Sequence, residues 1–380
     1  LNDARSVYVS GKYAYVTAYG NNSLQIIDVS NPTSPVRVGG TTGVNGAASV
    51  YVSGKYAYVA NRLGGSADLT IVDVSSSTNP TVASSINSLP PWVDVDTANS
   101  VFVSGKYAYI SYYSGGGFAV IDISNALSPK FVAIKQEVLP WLSGSESVYV
   151  SGKYAYVANE NGDGIGIIDL GGIDAPSANI GALQVNTLNA TENLTVANNA
   201  YISNGLNVGV GGIATDGLMS AGALDISAKI EPRLVGGISS STVLNGAISI
   251  YVSGKYAYVA NNDANSFAVI DISNPIGTST IVGSVSSSQL SGARAVYVSG
   301  KYAYVANEID DSLRIIDISN PSVPSIVGGV KDTANLNGAY SVYVSGKYAY
   351  VANSTDNSLR IIDVSNPTGT STIVGGVKDA

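Results

Sequence analysis

The stretch Ser345-Gly346-Lys347-Tyr348-Ala349-Tyr350-Val351 decides the fold, because close copies of it recur along the whole chain. Seven copies are present, and each is marked by one lysine: Lys12, Lys55, Lys106, Lys153, Lys255, Lys301 and Lys347. The intervals between these lysines are 43, 51, 47, 102, 46 and 46 residues. A period of about 40 to 50 residues is typical of stacked repeat architectures. The single doubled interval indicates either a diverged copy or an inserted segment.

The composition favours an all-β protein. Of the 380 residues, 45% are hydrophobic and 12% are charged, and the chain contains 42 glycines and 25 tyrosines. Strands favour β-branched and aromatic residues, and neighbouring repeats stack into one continuous core. We therefore expect residues 1–380 to form a single β-rich domain.

Residues 339–377 represent one repeat and contain four short apolar runs separated by turn residues. The first two runs, Ser341-Val342-Tyr343-Val344 and Tyr348-Ala349-Tyr350-Val351-Ala352, are joined by Ser-Gly-Lys, a link typical of a tight hairpin. Neither face of the second run is plainly polar, so both faces need cover. Four-stranded sheets packed face to face around a ring provide that cover, and the repeats therefore predict a β-propeller.

An aspartate at the end of the third run gives an independent count of the repeats. It occurs eight times: Asp28, Asp73, Asp122, Asp169, Asp225, Asp271, Asp317 and Asp363. We therefore predict an eight-bladed β-propeller of four-stranded antiparallel blades, with a degenerate fifth blade and a long loop at about 190–240. The alternative is a seven-bladed propeller with an inserted β-rich segment at about 171–232.

Several classes of function lack the residues that they need. The formal net charge is -8 and no lysine-rich tract is present, so we expect no nucleic-acid partner. The chain contains neither cysteine nor histidine, which excludes disulfides, thiolate zinc sites and the most common acid–base side chain. No stretch is long and apolar enough to predict a transmembrane segment.

Segments around three of the aspartates resemble a known repeat family. Leu24-Gln25-Ile26-Ile27-Asp28-Val29-Ser30-Asn31-Pro32 and its relatives at 313–321 and 359–367 resemble the LVIVD repeat of bacterial and archaeal surface proteins. The resemblance covers essentially the whole chain and is weakest in the fifth unit. It implies a β-propeller with an extracellular or cell-surface location, and it brings no catalytic residues with it.

The turns and loops divide into two groups. If the strands of a blade are called a, b, c and d, the a–b and c–d turns share one end of the propeller, which we call the constant face because its turns repeat closely. The b–c and d–a connections share the other end, the variable face. Irregular loops on a regular scaffold are where recognition usually occurs. We therefore expect ligands to bind at the variable face.

The predicted ligand-binding patch on the variable face is aromatic. Trp92 and Trp141 lie in consecutive d–a connections, and Tyr112, Tyr113 and Asp94 are close to them in sequence. Aromatic side chains on proline-bearing loops present flat apolar faces with polar edges, which suit a sugar ring or a protein loop. The alternative is that both indoles pack against blade edges or the top of the channel.

Charged residues in the turns have simpler explanations than ligand binding. Each repeated aspartate is predicted to accept a backbone N–H bond from two residues further along, and each repeated lysine to be a solvated hairpin tip, with a ligand-binding lysine ring as the alternative. We expect no cofactor. Calcium is the one metal to consider, because residues 159–164 and 308–311 cluster oxygen ligands, but neither segment has EF-hand spacing.

The sequence therefore predicts a non-catalytic extracellular or cell-surface propeller that acts in recognition or adhesion, with a protein or glycan ligand. The alternative is a structural subunit that self-assembles into a surface layer, sheath or filament. A carbohydrate-active enzyme is a third reading, in which Asp94 would pair with Glu137 or Glu146. Near-identical repeats place the same residues around the ring, which argues against one asymmetric catalytic site.

Overall fold

A computed structural model describes residues 1–63, 68–86, 96–136, 142–170, 232–276 and 279–379. These residues form seven antiparallel sheets of four strands, and in every sheet the strands follow the chain order a, b, c, d. Each a–b hairpin turns at the glycine of Ser-Gly-Lys, and Gly346 in the last copy has φ 58°, in the left-handed region that glycine favours. The predicted propeller of four-stranded blades is therefore confirmed.

Blades 1 to 4 contain, in the order a to d, Ala4–Ser10, Tyr13–Ala18, Ser23–Asp28 and Val36–Thr42; Ala47–Ser53, Tyr56–Asn61, Leu69–Asp73 and Thr81–Ile86; Asp96–Ser104, Tyr107–Ser114, Gly117–Asp122 and Lys130–Gln136; and Ser145–Ser151, Tyr154–Asn159, Gly164–Asp169 and Arg233–Ser239. Blades 5 to 7 contain Ala247–Ser253, Tyr256–Asn261, Ser266–Asp271 and Thr280–Ser286; Ala293–Ser299, Tyr302–Asn307, Ser312–Asp317 and Ser325–Lys331; and Ala339–Ser345, Tyr348–Asn353, Ser358–Asp363 and Thr372–Lys378. In the described part of the chain the helices are two short 3-10 turns, Tyr19–Asn21 and Ser288–Leu290, and none is long enough to cross a membrane.

The prediction of eight blades is wrong, and the seven-bladed alternative is correct. Blade 4 takes its outer strand, Arg233–Ser239, from beyond the doubled interval, and this strand pairs with Gly164–Asp169. Blade 5 then packs directly on blade 4, because the rings of Tyr149 and Tyr251 have centroids 4.9 Å apart, the spacing found between other neighbouring blades. No space for another blade remains between them.

The doubled interval therefore arises from an insertion between strands c and d of blade 4. The residues predicted to build a fifth blade, including Asp225, lie within 171–231 and so fall outside the described residues. The aspartate pattern gave the wrong number of blades because it indicates only that a local segment can end a strand. A blade forms only where neighbouring blades cover both of its faces.

The hydrophobic core lies between adjacent blades. At the interface of blades 7 and 1, for example, Leu359 and Ile361 pack against Val7 and Val9. Strand b is buried along both faces in every blade, apart from its partly exposed first residue and the end of the longer strand b of blade 3. This pattern confirms that the apolar character of both faces reflects cover by two neighbouring blades.

The ring closes between blade 7 and blade 1 without a shared strand, because each of these blades is a complete four-stranded sheet. The rings of Tyr8 and Tyr343 have centroids 5.0 Å apart, and the backbone N–H of Asp3 donates to Asn357 Oδ1 at 2.9 Å. Other interfaces use the same contacts, as when the backbone N–H of Gly46 donates to Asn22 Oδ1 at 2.8 Å. Closure therefore rests on the face packing that joins the other blades.

Strand d carries a glycine where the c–d turn of the next blade passes over it. A Cβ atom on Gly375 would lie 2.0 Å from the carbonyl oxygen of Pro32, and one on Gly328 would lie 2.2 Å from that of Pro367. These distances are far below van der Waals contact, so these positions require glycine for close backbone approach.

Gly375→Ala is expected to lower the free energy of unfolding by about 1–3 kcal/mol, because overpacking forces the backbone apart. Urea unfolding followed by tyrosine fluorescence measures the change. Gly346→Asn is the matched control: a Cβ there meets open space, and asparagine tolerates the left-handed conformation, so we expect a change below about 1 kcal/mol. A Gly375→Ala protein as stable as the wild type would contradict the close approach of the Pro32 turn.

Candidate ligand-binding site at the channel mouth

The seven a strands stand side by side in a closed circle around the propeller axis and line its central channel. Midway along the channel each strand contributes one aromatic ring: Tyr8, Tyr51, Phe102, Tyr149, Tyr251, Tyr297 and Tyr343. The centroids of neighbouring rings lie between 4.8 and 5.1 Å apart around the whole circle. Aromatic pairs at this spacing attract one another, so this aromatic level joins the blades on the axis.

A second level lies two residues earlier in the a strands: Ser6, Ser49, Ser100, Ser147, Ser249, Ala295 and Ser341. Several of these hydroxyls accept a backbone N–H bond from the next blade, as Ser6 Oγ does from Val50 at 3.2 Å and Ser249 Oγ from Val296 at 3.2 Å. The serine level therefore also joins neighbouring blades through hydrogen bonds.

The third level lies one residue nearer the variable face and differs from blade to blade: Arg5, Ala48, Asn99, Glu146, Ile248, Arg294 and Tyr340. We call these residues the mouth ring. Each is the extra residue of a β-bulge; in blade 1, Ala4 pairs with Ala18 and Ser6 with Thr17, which leaves Arg5 unpaired. A bulge re-aims a side chain. Together the mouth ring and the serine level line a cavity of about 110 Å³.

One side of the mouth, which we call the basic half, combines two arginines with two tyrosines. The Arg5 guanidinium lies 3.5 Å from the centroid of the Tyr19 ring and its Nη2 donates to Asp3 Oδ2 at 2.8 Å. The Arg294 guanidinium lies 4.3 Å from the centroid of the Tyr340 ring and its Nη2 donates to the Tyr340 hydroxyl. Stacking and hydrogen bonding together hold both guanidinium groups in place.

The opposite side, which we call the acidic half, is built around Glu146, whose side chain is only 4% exposed. Its carboxylate accepts a hydrogen bond from Asn99 Nδ2, and Oε1 lies 3.8 Å from Arg62 Nη2. Arg62 in turn lies 4.9 Å from the centroid of the Tyr113 ring, and Tyr113 lies beside Glu160. A buried carboxylate requires such partners, because an unpaired one would be costly.

The two halves influence each other's ionisation. Burial and the neighbouring Glu146 carboxylate raise the pKa of Glu160, although Arg294 opposes the shift. Burial alone would lower the pKa of Arg294, but Tyr340, Glu146 and Glu308 outweigh it, so that its pKa is raised. Arg294 therefore stays charged in the mouth, and its field reaches the acidic half.

The residues of the predicted aromatic patch have different outcomes. Trp92, Asp94 and Trp141 lie outside the described residues. Tyr113 is half-buried in the acidic half of the mouth, close to where the variable-face prediction put it. Tyr112 needs a correction: its side chain is fully buried in blade 3, and burial raises its pKa well above the usual value, so it does not present an aromatic face to a surface ligand.

The constant face has the structural role that the turn sequences predicted. The backbone N–H of Ser30 donates to Asp28 Oδ1 at 2.9 Å, and five other repeated aspartates accept the same bond from two residues further along. Hydrogen bonds from Ser30 lower the pKa of Asp28. Lys12 lies 3.3 Å from Asp28 and over the ring of Tyr13. The first lysine is thus tied to its own blade as well as exposed.

The acidic loops considered for calcium have protein partners in the structure. Asp163 and Asp311 accept backbone N–H bonds from Gly246 and Gly338 in the following blades, at 3.2 and 3.0 Å. Asp310 lies 2.7 Å from Arg314. In the described ranges, no group of three or more acidic side chains converges on one point. Whether the protein needs a cofactor stays a matter of prediction.

The fold and the channel define the class of this protein as a seven-bladed β-propeller built from sequence repeats. The family model described as the LVIVD repeat matches the chain seven times, at residues 2–42, 46–88, 97–135, 144–187, 246–285, 292–332 and 338–374. The chain therefore belongs to the LVIVD repeat family, as the resemblance of its aspartate segments predicted. A comparison with curated proteins gives no match.

Solved structures share the fold at low sequence identity. A putative 6-phosphogluconolactonase from Bacteroides fragilis is 15% identical with a TM-score of 0.64, covering 99% of this chain and 94% of that one. The periplasmic gluconolactonase of Pseudomonas aeruginosa is 14% identical with a TM-score of 0.60, covering 99% and 95%. A protein from Lactobacillus plantarum is 11% identical with a TM-score of 0.64, covering 98% and 94%. At these identities the similarity establishes the fold alone.

Proposed function

We propose that this protein is a non-catalytic recognition or adhesion propeller, located outside the cell or on its surface, that binds a protein or glycan ligand at the variable face with the channel mouth at the centre of the site. One observation carries the proposal: the mouth ring is the channel level at which the blades differ. Its seven positions hold six residue types, whereas the two levels below repeat almost unchanged.

The free-energy cost of burying charged side chains in the mouth ring supports a role beyond scaffolding. Ala48 occupies the bulge position of blade 2, so the fold accepts a small neutral residue there. Arg294 and Glu146 instead place charges in side chains that are 16% and 4% exposed. Desolvating a charge is unfavourable unless its interactions repay it. A ring with only a structural role would not require charged residues at some positions and a small neutral residue at another, whereas a binding site would.

The size of the mouth indicates how a ligand would enter. Pockets that enclose a whole small molecule usually measure about 300–1,000 Å³, and the mouth cavity of about 110 Å³ is smaller. It suits a single protruding group of a larger ligand, while the surrounding b–c and d–a loops contact the rest. This arrangement fits a glycan chain or a protein loop.

Ala48→Tyr tests the recognition role by filling the mouth with a side chain that blade 7 carries at the equivalent position, Tyr340. We expect the variant to remain folded and to lose at least about tenfold in affinity, or 1.4 kcal/mol, for ligands that the wild type selects from glycan and peptide arrays. Lys301→Ala on the constant face is the control and should bind like the wild type. Unchanged binding by folded Ala48→Tyr would exclude the mouth from recognition.

Lactone hydrolysis is the activity to test against a non-catalytic role, because two of the similar structures carry gluconolactonase names. The raised pKa of Glu160 makes it the candidate acid–base group of such a reaction. We expect glucono-lactone and 6-phosphogluconolactone to hydrolyse at their spontaneous rates in the presence of the protein, as followed by proton release. A rate above background that Glu160→Gln abolishes would establish an enzyme instead.

Self-assembly as a structural subunit is the second candidate, and exposed apolar side chains favour it. Leu127, Ile276 and Val323 lie in c–d turns of the constant face and are 67%, 65% and 67% exposed. Light scattering over a range of concentrations distinguishes the roles. A recognition protein should remain monomeric at high concentration, whereas ordered assembly that is lost on replacing these three residues by serine would support the structural role.

A further inference from the structure

We infer that the basic half of the mouth binds a carboxylate, so that the protein selects ligands by a monoanionic group. This inference rests on the proposed recognition role of the mouth and names the chemistry that it reads. Hydrogen-bond donors of Arg5, Arg294 and Tyr340 have no protein acceptor among the described residues.

The basic half presents donors on three consecutive blades. Arg5 uses Nε and Nη2 on Asp3, which leaves Nη1 without an acceptor among the described residues. Arg294 uses Nη2 on the Tyr340 hydroxyl and leaves Nε. Because that hydroxyl accepts from Arg294, its own proton is available to a further acceptor. A ligand group with acceptors only is complementary to this set.

These donors are held in position before any ligand arrives. The Arg5 guanidinium is fixed by stacking on the Tyr19 ring and by hydrogen bonds to Asp3, and Arg294 is fixed by Tyr340. Tyr340 itself lies between the two arginines in the ring and also faces Arg5 at 5.7 Å. Donors that are already ordered lose little conformational freedom on binding. An arginine fork also matches the two oxygens of a carboxylate.

The remaining charges around the mouth favour a ligand group with one negative charge over a group with two. Glu308 lies 3.8 Å from Arg294, beyond hydrogen-bond distance, and therefore moderates its charge without occupying its donors. On the acidic half, Glu146 is already paired with Arg62 and Glu160 lies close by, so an anion is directed to the basic half. A phosphate dianion gains twice the attraction to the arginines but loses far more hydration on entering the mouth, because the cost of desolvating an ion rises with the square of its charge. The structure thus favours a carboxylate, whether from a uronic acid or from an acidic side chain.

The test follows the arginine Nε–H signals by ¹⁵N NMR during titration of the wild-type protein with D-glucuronate. We expect the Arg5 and Arg294 signals, assigned from Arg5→Lys and Arg294→Lys spectra, to shift and saturate. Arg314 and Arg360 are internal controls, since each is paired to an aspartate on the same face. D-glucose at equal concentration should shift no signal. Tyr340→Phe, which keeps the ring and removes the hydroxyl, should weaken glucuronate binding about tenfold.

Each outcome decides the inference. No saturable shift at Arg5 and Arg294, or equal shifts at Arg314 and Arg360, would overturn it. Inorganic phosphate binding more tightly than glucuronate would overturn the preference for a carboxylate. N-acetyl-L-aspartate amide as a second probe separates the two sources of the carboxylate: tighter binding of this probe indicates an acidic side chain, and tighter binding of glucuronate indicates a uronic acid. If the arrays select an uncharged ligand that Ala48→Tyr rejects, the recognition role stands and the carboxylate inference fails.

Discussion

Every blade must bury both of its faces, and this constraint governs the rest of the structure. A four-stranded sheet with apolar side chains on both sides is stable only between two others, so the blades close into a ring. The ring closes by packing alone, with Leu359 of the last blade against Val7 of the first. The same constraint requires glycine in strand d. The c–d turn at Pro32 can pass over the strand of the neighbouring blade only because Gly375 has no side chain there.

The same packing places the candidate site on the a strands, which contact one another around the channel. The a strands are tied to each other by the aromatic and serine levels, and the bulge directly above them turns one residue of each strand into the mouth. Loops then need only complete the site around a rigid ring. Arg294 and Glu146 are consequently held at low exposure without a dedicated loop, and pre-organisation of this kind favours selective binding.

Local signals in the sequence predicted much of the fold. Ser-Gly-Lys predicted the hairpins, and Asp28 with its equivalents predicted caps that accept N–H bonds from two residues further along. The blade count went wrong at Asp225, because a strand-like pattern says nothing about whether neighbours cover the segment. The sequence predicted the face on which the candidate site lies and named Tyr113 and Glu146, but it missed the mouth ring as a set. Its signal was present as the one position of strand a that changes from copy to copy, but strict strand alternation gave no reason to direct Arg5 and Ser6 to the same channel.

By itself the sequence determined the repeat, the four strands of each blade, the hairpin geometry and the family, because these depend on side-chain pattern and turn chemistry over a few neighbouring residues. Only the tertiary structure decided that seven blades close the ring, that Arg233–Ser239 completes blade 4, and that Tyr112 is buried while Tyr113 reaches the mouth. It also decided that Arg5, Glu146 and Arg294 line one cavity. Residues so far apart in the chain come together only when bulges on separate strands share one axis, a relation that no local pattern records.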